Sequence, residues 1–215
     1  MIINIVAGGP ETLLPDLNDY AGENVIWVGV DRGVFHLLQR NIKPLIAFGD
    51  FDSVTPEELS VIESQVKEMN RFKPEKDETD TELALDWALK QNPKSIQLFG
   101  GTGGRLDHLF ANVQLLVDPL IKGNFTNIYL IDRHNHLTIK GPGHYTIEKK
   151  KAEKYISFVP VTLNITNLTL VGFKFPLTNR HISLGSTLCI SNELIDDYGT
   201  FSFSEGILIM IRSHD

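Results

Sequence analysis

The sequence predicts a parallel-sheet α/β domain at residues 1–134, followed by an all-β domain at residues 135–215. In the first part of the chain, short apolar runs alternate with segments of helical spacing, which is typical of a parallel sheet covered by helices on both faces. In the second part, apolar and polar residues alternate with period two between turn residues, as in an antiparallel sandwich or small barrel. The two patterns meet near residues 133–135, where we place the domain boundary.

Six strands and four helices are expected in the first domain. The predicted strands span residues 2–6, 25–30, 45–48, 68–72, 95–99 and 127–131. The predicted helices span residues 33–39 and 56–66, begin near residue 80, and follow Arg105. Thr79 and Glu82 have the spacing of a capping box, in which each side chain bonds the backbone N–H of the other residue, and this predicts the start of the third helix.

The strand-like runs of the second domain are separated by Gly, Asn, Asp and Pro. They span residues 161–165, 168–170, 186–190, 200–203 and 207–211. This domain also contains a basic run, Lys149, Lys150 and Lys151, with Lys154 nearby. Such a run is typical of a solvated hairpin tip, and phosphate binding is the alternative interpretation.

Composition and charge narrow the functional classes. The net charge is −7, whereas proteins that bind nucleic acid or anionic membranes in general carry a basic surplus. No apolar run approaches the roughly 20 residues that cross a bilayer. The first residues are typical of a strand rather than a signal peptide. Cys189 is the one cysteine, which excludes an intrachain disulfide and favours a reducing, cytoplasmic location.

Polar clusters follow the carboxyl ends of the first five predicted strands. In open α/β sheets ligands bind at this edge, because helix N-termini and free backbone amides converge there. The clusters are Gly8-Gly9, Asp31-Arg32-Gly33, Gly49-Asp50-Phe51-Asp52-Ser53, Lys76-Asp77-Glu78-Thr79-Asp80 and residues 100–108. Five clusters on one edge predict a ligand site there.

The carboxylates in these clusters indicate a metal site. Asp50 and Asp52 lie on one side of a tight loop, and Asp80 at a helix start can complete a set of oxygen ligands for a hard cation such as Mg²⁺. A turn or helix-cap role is the alternative for any single carboxylate. The same rim is predicted to carry Asp31, Asp77 and Asp107. Because crowded carboxylates repel one another, a bound cation is the simplest way to stabilise them together.

The loop at residues 100–104 contains four glycines and favours a phosphate group. Glycine lets backbone amides approach an anion closely, and the dipole of the following helix attracts negative charge. Arg105 adds a bidentate phosphate donor, for which a salt bridge to a nearby carboxylate is the alternative role. Asp107 and His108 lie on the first helical turn, and His108 is equally compatible with a surface or capping role. The loop lacks the Gly-Lys-Ser/Thr ending of a P-loop.

Taken together, these motifs resemble those of thiamine pyrophosphokinases in order and spacing. The similarity continues in the second domain through Leu177-Thr178-Asn179, Leu184-Gly185-Ser186-Thr187 and Ser191-Asn192-Glu193. It therefore covers nearly the whole chain. It implies a Rossmann-like catalytic domain, a β-sandwich thiamine-binding domain, and a homodimer whose active sites each use the catalytic domain of one subunit and the β domain of the other.

The resemblance also assigns site residues. Mg²⁺ would be held by Asp50, Asp52 and Asp80. The ATP site would be lined by Asp31, Arg32, Thr79, Thr102, Gly103, Arg105, Asp107 and His108. Thiamine would be met by Phe175, Ser191 and Asn192. Some relatives carry tryptophan where this chain has Phe175, and phenylalanine keeps the capacity to stack on a ring but lacks the indole N–H.

The reaction implied is transfer of diphosphate from ATP to the hydroxyl of thiamine, giving thiamine diphosphate and AMP. Asp50, Asp52 and Asp80 would act through the metal, and Arg105 would stabilise charge in the transition state. Asp77 would orient or deprotonate the hydroxyl. Three alternatives stay open: a pyrophosphokinase for another hydroxymethyl heterocycle such as a hydroxymethylpterin, a metal-dependent nucleotide-sugar transferase, and a non-catalytic sensor of nucleotide or thiamine.

Overall fold

The computed structural model of the chain describes residues 1–71 and 77–215. Within these residues the chain forms two compact units, Met1–Arg133 and His134–Asp215. None of the helices in the described residues is both long enough and apolar enough to span a membrane.

The first unit alternates strands and helices. Its elements are β1 (Ile2–Val6), β2 (Val25–Val30), α1 (Arg32–Gln39), β3 (Ile46–Gly49), α2 (Pro56–Gln65), β4 (Met69–Arg71), α3 (Asp80–Lys90), β5 (Ser95–Phe99), α4 (Leu106–Ile121) and β6 (Asn127–Ile131), with short 3₁₀ turns at Glu11–Leu13 and Leu17–Tyr20. The strands pair in parallel in the order β4-β3-β2-β1-β5-β6. The predicted α/β fold of this part is confirmed.

Local sequence explains where these elements begin and what they bury. Thr79 caps α3, because its Oγ1 accepts a hydrogen bond from the Glu82 N–H at 3.2 Å. The third helix therefore begins near residue 80, as predicted. The central strands are buried along most of their length, and one cluster of their side chains packs against the inner face of α1 at Leu37. Fully burying a side chain of this size contributes about 1.5–3 kcal/mol. Residue 72 of the predicted fourth strand, and Lys76, lie outside the described residues.

The strand order reverses between β1 and β5, where the loops after the two strands meet. The Gly9 N–H donates to the Gly100 carbonyl oxygen at 2.9 Å. Gly100 has a φ of +65°, and a Cβ at this position would lie 2.3 Å from the Ala7 carbonyl oxygen. Only glycine can occupy position 100 while the two loops lie this close together. The reversal point of an open parallel sheet is a common ligand position, because the loops diverge there and leave a crevice.

The second unit is built from antiparallel strands. They are β7 (Asn135–Lys140), β8 (Gly143–Glu148), β9 (Tyr155–Pro160), β10 (Asn164–Val171), β11 (Leu177–Ser183), β12 (Tyr198–Phe203) and β13 (Leu208–Ser213). They pair in the orders β7-β13-β9 and β11-β10-β12-β8. Both groups contribute to one core that contains Phe158 and Phe201, with ring centroids 4.8 Å apart. The predicted antiparallel, sandwich-like character of this part is confirmed.

One strand predicted in the second unit is wrong. Residues 186–190 form turns, closed by hydrogen bonds from the Ser186 N–H to the Ser183 carbonyl and from the Ile190 N–H to the Thr187 carbonyl. Of the apolar residues there, Cys189 is buried, whereas Leu188 and Ile190 are about half exposed. The apolar run therefore marks one core contact rather than a strand. The two runs predicted at 161–165 and 168–170 overlap a single irregular strand, β10.

Candidate active site

A cavity of about 740 Å³ lies at the carboxyl edge of the parallel sheet. Its walls come from the loops after β1, β2, β3 and β5, and from residues of α1 and α4. This volume is within the range of cavities that hold small-molecule ligands and cofactors. Of the residues predicted for an ATP site, those that line the cavity are Asp31, Arg32, Gly103, Arg105 and His108, and those that do not are Thr79, Thr102 and Asp107.

Three carboxylates converge beside this cavity. One oxygen from each of Asp31, Asp50 and Asp80 lies within 4.8 Å of the other two. Asp31 follows β2, Asp50 follows β3, and Asp80 begins α3. Asp52, which the sequence prediction placed with Asp50 and Asp80, lines the cavity instead, and Asp31 completes the group of three. This group could hold a divalent metal ion through oxygen ligands.

The electrostatics of the group fit a cation. The pKa of Asp31 is raised from 3.8 to about 7, chiefly by burial and then by the charges of Asp80, Asp50 and Asp52. A hydrogen bond from the Phe51 N–H acts in the opposite direction. A bound cation would lower the pKa of Asp31, because a nearby positive charge favours the ionised carboxylate.

The backbone around these carboxylates adopts unusual angles. Asp31 has a φ of 48° and Phe51 has a φ of 62°, both positive for residues other than glycine. A Cβ on Gly49 would lie 2.0 Å from Asp31 Oδ1, so only glycine leaves room for this carboxylate at the end of β3. Phe51 is buried, which anchors the loop that separates Asp50 from Asp52. Strained residues of this kind cost about 1–3 kcal/mol each and concentrate at functional sites.

The Asp31-Arg32-Gly33 motif brings the start of α1 against the end of β1. A Cβ on Gly33 would lie 1.9 Å from the Val6 carbonyl oxygen, so a larger residue cannot occupy this position without a backbone shift. Arg32 lines the cavity, and its Nη2 donates to Glu58 Oε1 at 2.9 Å. Glu58 is itself part of the capping box of α2, which restricts the orientation of the arginine.

Two buried polar residues hold the glycine-rich loop in place. Thr102 Oγ1 donates to Asp132 Oδ2 at 2.8 Å. Asn112 Nδ2 donates to the Gly101 carbonyl oxygen at 2.9 Å. Gly103 has a φ of +80° and lines the cavity. The loop therefore presents its backbone to the cavity from a fixed position.

Arg105 is paired with Asp107 at the start of α4. Its Nε donates to Asp107 Oδ1 at 3.1 Å, both side chains are exposed, and the arginine holds the pKa of Asp107 well below its usual range. The salt-bridge role considered for Arg105 is therefore present in the structure. Arg105 and His108 also line the cavity, so the same guanidinium can reach a ligand if it exchanges partners.

Asp77 and Thr79 do not line the cavity. Asp77 is exposed and directly follows the five residues, 72–76, that the structure does not describe. The Thr79 hydroxyl accepts the helix-capping hydrogen bond and thereby fixes the start of α3, where Asp80 lies. The structure thus gives Thr79 a positioning role for the carboxylate group.

Asn192 in the second unit holds Phe175. The Asn192 side chain is buried, accepts from the Phe175 N–H at 3.0 Å and donates to the Phe175 carbonyl oxygen at 2.8 Å. Its Oδ1 also accepts from the Glu193 N–H at 2.9 Å. Phe175 is 58% exposed, and Ser191 is exposed with a φ of 56°. Asn192 therefore fixes the backbone of an exposed aromatic residue and has little capacity left for a ligand.

Comparison with known proteins identifies the family of this chain. Residues 17–130 match the thiamin pyrophosphokinase catalytic domain, and residues 144–208 match the thiamin pyrophosphokinase vitamin B1 binding domain. The chain belongs to the thiamin pyrophosphokinase family.

Individual members of the thiamin pyrophosphokinase family are similar to the chain over its full length. Thiamine pyrophosphokinase of Bacillus subtilis (strain 168) is 56% identical over 215 residues, which cover 99% of both chains. A crystal structure of thiamine pyrophosphokinase from Bacillus subtilis has a TM-score of 0.93, with 53% identity and 100% of each chain covered. A crystal structure of thiamin pyrophosphokinase from Geobacillus thermodenitrificans has a TM-score of 0.92 and 53% identity, covering 100% of this chain and 98% of the other.

Three residues near the cavity lie outside the motifs that resemble thiamin pyrophosphokinases. His36 lines the cavity from α1, is 5% exposed, and has an Nδ1 with no hydrogen-bond partner among the described residues. Burial lowers the pKa of His36, so the ring is neutral. Asn112 and Asp132 support the glycine loop. Asp132 directly follows β6. The search for polar residues at the carboxyl ends of strands, which covered the first five strands, would have found it if extended to the sixth. His36 lies four residues after Arg32 on the same helix face.

Proposed function

We propose that this protein is a thiamine pyrophosphokinase that transfers diphosphate from ATP to the hydroxyl of thiamine and releases AMP. The observation that carries the proposal is the convergence of Asp31, Asp50 and Asp80 within 4.8 Å of one another beside a cavity of about 740 Å³. Full-length similarity to a thiamine pyrophosphokinase at 56% identity supports the same reaction.

Mg²⁺ is the proposed metal, held by Asp31, Asp50 and Asp80, and Asp52, which lines the adjoining cavity, is proposed to act through water. These residues suit the ion because they offer hard oxygen donors, and because a cation offsets the repulsion that raises the pKa of Asp31. When bound, Mg²⁺ neutralises charge on a polyphosphate and so favours attack on phosphorus. The number of carboxylates supports an enzyme over a sensor, because binding alone does not require so many like charges.

The remaining steps are assigned to side chains and backbone groups of the chain. The thiamine hydroxyl oxygen attacks the β-phosphorus of ATP, and the bond from this phosphorus to the oxygen of the α-phosphate breaks, so that AMP leaves. Arg105 exchanges Asp107 for phosphate oxygens and donates to the charge that builds there, together with amides of the glycine loop. Asp77 orients the hydroxyl or accepts its proton. Loose phosphoryl transition states need little help from a base, so positioning is the larger part of this role.

The nucleotide and thiamine are proposed to use different parts of the chain. ATP occupies the crevice at the reversal point of the sheet, in a Rossmann-like arrangement, along Asp31, Arg32, Gly103 and His108. Thiamine stacks on Phe175 and meets Ser191 in the second unit. For Asn192 we propose a change from the sequence prediction: it positions Phe175 rather than contacting thiamine, because its amide already makes three hydrogen bonds within the protein.

We also propose a cytoplasmic homodimer. The family resemblance supports a dimer whose active sites take residues from both subunits, and exposed apolar side chains in the second unit provide surface for association. They include Leu163, Val171, Leu184, Ile195 and Tyr198. Light scattering after size exclusion gives the mass directly. If the sites are shared, a mixture of Asp50→Ala and Phe175→Ala protein should be more active than either variant alone.

The direct test is incubation of purified protein with ATP, Mg²⁺ and thiamine, followed by chromatography of both products. We expect AMP and thiamine diphosphate in equal amounts, and neither in EDTA. Asp50→Ala or Asp80→Ala should abolish turnover with the fold intact, and retention of more than about a tenth of the activity, under about 1.4 kcal/mol of barrier, would contradict the metal assignment. ADP with thiamine monophosphate would indicate a simple kinase. ATP turnover with a hydroxymethylpterin and not with thiamine would favour the related pyrophosphokinase, and stabilisation by ligands without turnover would favour a sensor.

A further inference from the structure

A second, smaller cavity lies in the second unit beneath the turn between β8 and β9. Its volume is about 180 Å³. The charged side chains that line it are Lys149, Lys150, Lys151, Lys154, Arg212, Glu153 and Glu193. Five cations and two carboxylates leave a surplus of three positive charges around this cavity, in a chain whose net charge is −7. All four lysines are exposed, and an antiparallel bridge between Lys150 and Glu153 closes the turn, as expected for a solvated hairpin tip; the same lysines also line a concave surface.

Most of these ammonium groups lack a carboxylate partner. Lys149 Nζ donates to the Ile195 carbonyl oxygen at 3.2 Å, and Lys154 Nζ donates to the Tyr155 hydroxyl at 3.2 Å. Among residues 1–71 and 77–215, the Lys151 side chain has no hydrogen-bond or ion-pair partner. Because like charges repel, and the two carboxylates of the lining offset only part of the positive charge, an anion would stabilise the lysines.

The carboxylates of this cavity are already engaged. Glu153 pairs with the buried Arg212 through Oε2 and Nε, and its Oε1 lies 3.3 Å from Lys150 Nζ. Glu193 lies 3.1 Å from Lys174, a lysine that does not line the cavity. Glu153 is thus shared between Arg212 and Lys150, and its Oε1 also lies 3.4 Å from His136 Nδ1.

Arg212 adds a largely buried guanidinium to the lining of this cavity. Its side chain is 10% exposed, and its Nη2 donates to the Glu148 carbonyl oxygen at 2.8 Å. Burial lowers the pKa of Arg212, and the charges of Glu153 and Glu148 oppose this effect. Guanidinium and ammonium groups that line one cavity can supply charge-assisted hydrogen bonds to phosphate oxygens.

We propose that the cavity lined by the Lys149–Lys151 run, Lys154 and Arg212 is an anion site for a diphosphate group, free or at the end of a small ester. The volume of about 180 Å³ suits one such group and not a nucleotide. The inference is independent of the proposed reaction, because none of these five side chains is assigned to the ATP, metal or thiamine site.

Calorimetric titration of the full chain with inorganic diphosphate in EDTA tests the proposal. Without a divalent metal, Asp31, Asp50 and Asp80 repel anions, so binding under these conditions reports a cationic site. We expect saturable binding to the wild type. Lys151→Gln should weaken it about tenfold, because one charged donor is lost, and Lys151→Glu should abolish it. An exposed lysine of the first unit supplies the matched control, and Lys94→Gln should bind as the wild type does.

Two kinds of result would overturn the proposed anion site. Absence of heat with wild-type protein, or equal affinity in Lys151→Glu, would overturn the proposal, provided that the melting temperature shows the variant to be folded. An equal loss of affinity in Lys94→Gln would also overturn it, since the effect would then follow net charge. A parallel titration with a simple alkyl diphosphate separates the two ligand sources: similar binding supports an esterified group, and binding of the inorganic ion alone supports the free anion.

Discussion

Asp31→Asn tests the electrostatic account of the carboxylate group, because it removes one charge and little else. Asparagine has the same shape, retains an Oδ1 that accepts the Phe51 N–H, and tolerates positive φ better than most residues. In the metal-free protein the variant loses the repulsion between Asp31 and its neighbours Asp80 and Asp50. We therefore expect it to be more stable than the wild type at alkaline pH.

The direction and size of the effect follow from the pKa of Asp31. That pKa rises from 3.8 in the unfolded chain to about 7 in the folded protein, so the folded state holds the proton more tightly. The contribution of this group is greatest below pH 3.8, falls as the pH rises to about 7, and stays low above that. At 1.36 kcal/mol per pH unit the full loss is about 4 kcal/mol. Because Asp31 is partly exposed, solvent screening reduces this to about 2 kcal/mol.

The assay is thermal unfolding of wild-type and Asp31→Asn protein in EDTA from pH 5 to pH 8.5. A difference of about 2 kcal/mol corresponds to a gap of roughly 4–8 °C in melting temperature for a chain of this length. The gap should widen between pH 5 and pH 7 and stay constant above. Adding Mg²⁺ at pH 8.5 should raise the melting temperature of the wild type and have little effect on the variant, which has lost a ligand.

Asp86→Asn is the matched control, because Asp86 lies on the exposed face of α3 outside the group of three. It should show no gap that depends on pH. A gap of the same size in Asp86→Asn, or a gap for Asp31→Asn that does not change with pH, would refute the reasoning.

Three further predictions concern positions outside the carboxylate group. Gly33→Ala forces a Cβ to 1.9 Å from the Val6 carbonyl oxygen and should lower the free energy of unfolding by roughly 1–3 kcal/mol in urea titration; an unchanged midpoint would mean that α1 moves freely. Arg105→Ala should reduce kcat/KM about ten- to a hundredfold, because a charge-assisted hydrogen bond is lost, with no change in melting temperature; an unchanged rate would leave Arg105 only its exposed pair with Asp107. Asn192→Ala should raise KM for thiamine but not for ATP, because Phe175 loses its backbone anchor, and equal changes in both constants would contradict that role.

The parallel sheet was predictable because its strands are buried on both faces. Four of its six strands have the predicted bounds, since a continuous apolar run ends where the strand ends. The second unit was harder. In β11, Leu177–Ser183, only Ile182 is buried, so backbone pairing defines the strand and the side-chain pattern does not. The converse error occurs at residues 186–190, where an apolar run predicted a strand. Most of its apolar residues are exposed, and the backbone forms turns instead.

The site was predictable at the level of loops and less so at the level of atoms. Asp31, Asp50 and Asp80 were predicted to lie close together, because the carboxyl ends of parallel strands share one side of a sheet. Which carboxylates meet depends on the path of each loop. Phe51 takes a positive φ and is buried, and Asp52 then faces the cavity outside the group of three. Residue type alone does not reveal such a path.

Backbone strain and charge repulsion affect the same residues of this site. The stability of the folded protein therefore depends on whether a cation is bound there. Asp31 combines a positive φ, partial burial and two carboxylate neighbours, and Phe51 holds a second positive φ beside it. A divalent cation would relieve the repulsion and use the geometry that the strain maintains. Since a ligand that binds only the folded state stabilises it by RT ln(1 + [L]/Kd), occupancy and folding of the first unit are coupled. A variant that removes the repulsion therefore gains stability without metal and loses the response to it.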